Sequence, residues 1–146
     1  MLVKGINHVV LKVQNLEASD HFYREVVGLE AVGGRGRMRF YSAGAHTHDF
    51  AIVEVGPASP SRPHDASRST GLFHFCFDVA TEADLKSLYA RLRAAGVAVS
   101  GGVDHNVMHS FYVHDPDGHV VEFGVDVPRD EWAGPDPWAE DKSYAI

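Results

Sequence analysis

The feature that most narrows the fold is an internal repeat. Gly5-Ile6-Asn7-His8-Val9-Val10-Leu11-Lys12-Val13 aligns with Gly71-Leu72-Phe73-His74-Phe75-Cys76-Phe77-Asp78-Val79 at an offset of 66 residues. A helical stretch follows each copy, Leu16 to Val27 and Glu82 to Ala95, and Tyr23 meets Tyr89 at the same offset. Gly28 and Gly96 stand where the helices should stop, because a helix end commonly closes on a left-handed residue that glycine adopts without strain. Asn15 can cap the first helix, and Thr81 with Asp84 forms a capping-box-like start for the second. A repeat of this kind means one supersecondary block used twice.

Short β runs complete each block. In the first they are residues 37 to 42 and 49 to 55, after the glycine-rich turn Gly33-Gly34-Arg35-Gly36. In the second they are residues 97 to 100, 110 to 114 and 119 to 125, the last two joined by the strong turn Asp115-Pro116-Asp117-Gly118. The expected fold is α+β, two βαβββ units in one domain over residues 1 to 126. Repeat one spans about 3 to 56, a proline- and serine-rich connector 57 to 70, and repeat two 71 to 126. Residues 127 to 146 form an acidic, proline-interrupted tail with Trp132 and Trp138 as its large anchors.

Composition removes several function classes. Cys76 is the single cysteine, so an intramolecular disulfide is impossible and a reducing, cytoplasmic setting is expected. The net charge of −7 argues against nucleic acid or an anionic membrane as partner. No apolar run approaches the roughly 20 residues of a membrane helix, and Met1 to Gly5 opens no signal peptide. The histidines are the anomaly: ten, spread along the chain rather than in a tract.

Strand parity says where they point. Val9, Leu11 and Val13 form an apolar face, with His8 opposite beside Ile6 and Val10. Phe73, Phe75, Phe77 and Val79 do the same in the second copy, with His74 opposite beside Leu72 and Cys76. In the last run Val121, Phe123 and Val125 are apolar, and Glu122 is opposite. Two imidazoles and a carboxylate are the ligand set of non-haem Fe(II) sites; Mn(II) accepts the same set, and Zn(II) in a His₂Glu site remains open. Parity also brings Tyr112 to the Glu122 side, with Ser110 and His114.

The body from residue 5 to 125 resembles the vicinal oxygen chelate superfamily, whose folds pair βαβββ units around a metal. Asn7-His8-Val9-Val10, Phe22-Tyr23-Arg24 and Val27-Gly28-Leu29 are common to that superfamily. The segment Val103, His105, Phe111, Tyr112, Asp115, Pro116, Gly118, Glu122 is similar to the signature of its type I extradiol ring-cleavage dioxygenases. His48-Asp49-Phe50-Ala51-Ile52 resembles that group's short acid–base histidine motif. The resemblance implies Fe(II) held by His8, His74 and Glu122, a catecholic substrate chelating through both oxygens, and O2 at the remaining position. It implies His48 as the acid–base residue, His105 as a hydrogen-bond partner of the substrate, and Tyr112 as a contact to a substrate hydroxyl. His109 is the reserve for His105, and Cys76 and Phe50 are expected to shape the pocket. Fe²⁺ with one carboxylate carries +1, which a catecholate monoanion neutralises.

Many members of this group carry two such domains, so a homodimer or larger homo-oligomer is expected here. Two other readings compete. A metal-dependent glutathione or thiol transferase of the fosfomycin-resistance type needs the same three ligands but not His48 and His105. A metal-free binding protein of the bleomycin-resistance type needs none of them. Glyoxalase-like isomerase chemistry calls for a further Glu or Gln in the first repeat, where Glu54 is the nearest.

Overall fold

The computed structural model describes residues 2–44, 46–57, 70–132, 136, 138 and 140–146. Most of the connector, His64 included, lies outside the described residues. The chain divides into two compact units, Met1–Arg62 and Pro63–Ile146.

In the first unit β1 (Val9–Val13) leads to helix α1 (Leu16–Asp20), which continues as a π-helical stretch His21–Val27. The Asn15 side chain accepts from Ala18 N–H at 2.9 Å, and Glu54 Oε2 accepts from Leu16 N–H at 2.9 Å, so two of the helix's orphan donors are satisfied. Gly28 closes the other end at φ 100°. Strands β2 (Glu30–Arg35), β3 (Met38–Ser42) and β4 (Phe50–Glu54) complete a sheet in the order β1-β4-β3-β2, with β1 and β4 parallel. Leu11 and Val13 are buried under the helix with Phe22 and Tyr23, and the Tyr23 ring lies 4.5 Å from that of Phe50. Tyr41 donates to Asp20 Oδ1 at 2.7 Å; burial raises its phenol far above the usual range, and the Asp20 bond and charge raise it further.

The glycines assigned to a turn instead form β2. Gly33 and Gly34 pair with Phe40 and Arg39 after a register shift, and only Gly36 and Arg37 turn. A Cβ on Gly34 would sit 2.9 Å from Met38 O and from Arg39 Nη1, so this edge strand uses glycine for close approach rather than for a turn.

The second unit repeats the plan. Strand β5 (Phe75–Asp78), helix α2 (Glu82–Ala94), β6 (Gly102–Asp104), β7 (Met108–His114) and β8 (Val120–Asp126) build the sheet β5-β8-β7-β6, again with the first and last strands parallel. Thr81 accepts from Asp84 N–H at 3.1 Å, the expected cap. Phe111, Val113, Val121 and Phe123 are buried with Leu85 and Leu92 of α2, each contributing about 1.5–3 kcal/mol by leaving water. At the β7–β8 turn, Asp115 accepts from the N–H groups of Asp117 and His119, and Gly118 takes φ 85°. Two expectations shift here. Residues 97 to 100 make only an isolated bridge, Val99 to Val113, and the strand forms at Gly102–Asp104. The tail contributes β9 (Lys142–Tyr144), which pairs with β6 and extends the sheet by one strand.

Candidate metal and substrate site

Register converts the repeat into a map of equivalent positions. In the first unit Ala51 sits between Val10 and Phe40; in the second, Glu122 sits between Cys76 and Tyr112. The repeats therefore match His8 with His74, Ala51 with Glu122 and Phe40 with Tyr112.

The second unit carries a connected polar group on this row. His74 Nε2 lies 3.0 Å from Glu122 Oε2, and His105 Nε2 lies 3.5 Å from Glu122 Oε1. His105 Nε2 is also 3.0 Å from Tyr112 Oη and 3.0 Å from Ser110 Oγ. His74, His105, Tyr112 and Glu122 line an open cavity of about 240 Å³ with Met108, Trp138 and Asp141. Desolvation keeps the Tyr112 phenol protonated, well above the usual range, and the neighbouring Glu122 carboxylate reinforces this. Desolvation also pushes the Cys76 thiol up to about 12, with Glu122 again adding to it; although the residue is exposed, its sulfur packs beside Gly124.

Glu122 is 2% exposed, and its Oε1 is buried without a hydrogen bond. A buried carboxylate costs several kcal/mol unless hydrogen bonds or a positive charge join it. His74 Nε2 and Glu122 Oε2, 3.0 Å apart, bring an imidazole and a carboxylate together on one side of this cavity. The donor set fits a divalent cation. Among the described residues no three His, Cys, Asp or Glu side chains are grouped for ligation.

His8 belongs to the first unit, where its ring stands 4.6 Å from that of His48 and the latter packs edge-on to Phe40 at 5.2 Å. His8 Nδ1 donates to Asn7 Oδ1 at 2.8 Å, leaving Nε2 with the lone pair a metal would use.

Three residues singled out in the sequence have other neighbours. His109 lies on the helix side of β7, bonded through Nδ1 to Glu82 at 2.8 Å and stacked on Tyr144 at 4.1 Å. Odd parity on a regular strand turns it away from Glu122, and it is no substitute for His105. Phe50 is 1% exposed between Tyr23 and Tyr41, a core residue rather than a pocket wall. Glu54 Oε2 accepts from the Leu16 N–H at the start of α1, which ties that residue to the helix cap.

Residues 5–123 match the model of the Glyoxalase/Bleomycin resistance protein/Dioxygenase superfamily. The chain belongs to that superfamily. It is 33% identical over 119 residues to biphenyl-2,3-diol 1,2-dioxygenase 3 of Rhodococcus globerulus, a match covering 82% of this chain and 62% of that enzyme. The chain thus spans less than two thirds of that dioxygenase. Glutathione transferase FosA of Serratia marcescens is 29% identical, over 85% of this chain and 82% of its own. A crystal structure of lactoylglutathione lyase from Agrobacterium tumefaciens superimposes with a TM-score of 0.62 at 28% identity, covering 86% of this chain and 96% of that one.

One polar residue of the cavity, Asp141, escapes sequence reading. Asp141 accepts from His105 Nδ1 at 2.7 Å, and Ser110, placed on the correct face by parity, adds a hydroxyl to His105. Asp141 sits in an acidic tail next to a three-residue strand, too short for parity to show its direction.

Proposed function

We propose that this chain is a non-haem Fe(II) dioxygenase that opens a catecholic ring beside the diol, with Mn(II) as an acceptable substitute metal. The observation that carries the reading is the Glu122 row. A buried, under-bonded carboxylate lies 3.0 Å from His74, and the His105–Tyr112 pair adjoins it in one cavity. His74 and Glu122 would hold the metal with His8 as third ligand, and the metal would supply the redox chemistry that lets O2 react with the ring.

The chain's own groups do the remainder. His105 accepts a proton or hydrogen bond from one substrate hydroxyl, and the protonated Tyr112 donates to the diol oxygens. Cys76 offers a neutral, polarizable wall beside the ring. His48, paired with His8, serves as the acid–base group near O2. Both oxygen atoms of O2 enter the product, so no external reductant is needed. The expected assembly is a homodimer or larger.

The test is anaerobic loading with Fe(II), then catechol or 2,3-dihydroxybiphenyl with air, following a yellow ring-opened product. Tight Fe(II) binding without a yellow product across a catechol panel contradicts the reading. One observation favours a second reading: the match to FosA spans most of that transferase. Consumption of glutathione with fosfomycin, in place of O2 with catechol, would select it.

A further inference from the structure

The tail strand reaches the candidate site through one carboxylate. Asp141 precedes β9, and its Oδ1 lies 2.7 Å from His105 Nδ1. A carboxylate oxygen only accepts, so the bond to Asp141 requires a proton on Nδ1. In the neutral ring Nε2 then presents its lone pair to the Tyr112 and Ser110 hydroxyls, each 3.0 Å away.

The strand that delivers Asp141 is anchored at several points. Its residues Lys142, Ser143 and Tyr144 pair with Asp104, Val103 and Gly102. Lys142 Nζ donates to Asn106 Oδ1 at 3.0 Å, and the Tyr144 ring stacks on His109 at 4.1 Å, 15° from parallel. Asn106, next to His105, takes the left-handed φ of 65° and donates its N–H to Asp104 Oδ1 at 2.7 Å. Gly102 is a steric requirement of the same contact: a Cβ there would come within 2.6 Å of Tyr144 O. An exposed carboxylate alone adds little stability, and β9 is short. The arrangement suits orientation of the imidazole rather than support of the fold.

We infer that Asp141, delivered by the C-terminal strand, is a positioning residue that fixes His105 in its Nδ1–H tautomer and aims Nε2 at the substrate hydroxyl. Through it the tail is part of the site. This rests on the reading of His105 as the substrate's hydrogen-bond partner.

Two readouts test it on the full chain. Long-range ¹H–¹⁵N correlation spectra of the metal-free protein should show His105 protonated on Nδ1 only. In Asp141→Asn, and independently in Gly102→Ala, which pushes β9 away, that tautomer should give way to a mixture. In the Fe(II)-loaded enzyme kcat should fall about 10²-fold, as on loss of a well-placed base, with KM changed less than about threefold. Asp141→Glu should restore most of kcat. A protonated Nε2 in the wild type, an unchanged tautomer in Asp141→Asn, or an altered tautomer with unchanged kcat overturns the inference. If no catechol is turned over by wild-type protein, the dioxygenase reading fails, and the spectra alone decide the role of Asp141.

Discussion

The two repeats share a plan and differ in what they place on it. Each runs a capped helix to a glycine stop and pairs its first and last strands in parallel. Yet the position held by Glu122 in the second unit is Ala51 in the first, and Tyr112 is matched by Phe40. The first unit has His8 and His48 within ring contact and no carboxylate on that row. The helix-facing positions specify the fold and are mostly apolar in both, His109 being an exception; the opposite face is where chemistry has diverged. A duplicated fold therefore does not imply duplicated function.

The largest expected effect comes from removing the residue that separates the repeats. Glu122→Gln should lower Fe(II) affinity by more than about 10²-fold, beyond what loss of an outer partner costs, and should abolish ring cleavage. Because it also removes a buried charge, the metal-free variant should melt no lower than the wild type. A melting temperature that falls with Fe(II) binding intact would make Glu122 structural.

The reciprocal change is next. Ala51 is fully buried, so Ala51→Glu installs an unpartnered carboxylate and should cost about 3 kcal/mol, read as a lower urea midpoint. An unchanged midpoint would mean that the first unit tolerates the charge and that the contrast between repeats is accidental. Tyr41→Phe deletes the hydroxyl that bonds Asp20 at 2.7 Å and should cost about 2 kcal/mol in the same assay. A neutral result would show that this bond adds nothing to the first unit. The smallest effects sharpen the equivalence: Asn15→Ala and Thr81→Ala, which remove matching helix caps, should each cost about 1 kcal/mol. A difference above about 2 kcal/mol between them would break the symmetry of the two starts.

Sequence reading succeeded where the physics is periodic. Helix limits, caps, Gly28, Gly96 and the Asp115–Gly118 turn follow from local chemistry, and parity placed Tyr112 beside Glu122 across a regular ladder. It failed where packing overrides local preference. Gly33 and Gly34 look like a turn because glycine usually serves one, but a close approach by Met38 and Arg39 needs glycine within a strand. Phe50 follows a site motif in sequence, yet the regular β4 turns it into the core. His109 resembles a spare for His105 by spacing alone, and parity sends it to α2. Asp141 lies 36 residues from His105, and a contact at that range has no local signature. No helix among the described residues is long and apolar enough to cross a membrane.

The proposed Fe(II) ligands are His8, His74 and Glu122. Anaerobic Fe(II) titration of the wild type, His74→Ala and His8→Ala tests this directly. The prediction is one Fe(II) per chain in the wild type and a loss of affinity exceeding about 10²-fold in both variants. Wild-type affinity in His8→Ala would contradict it.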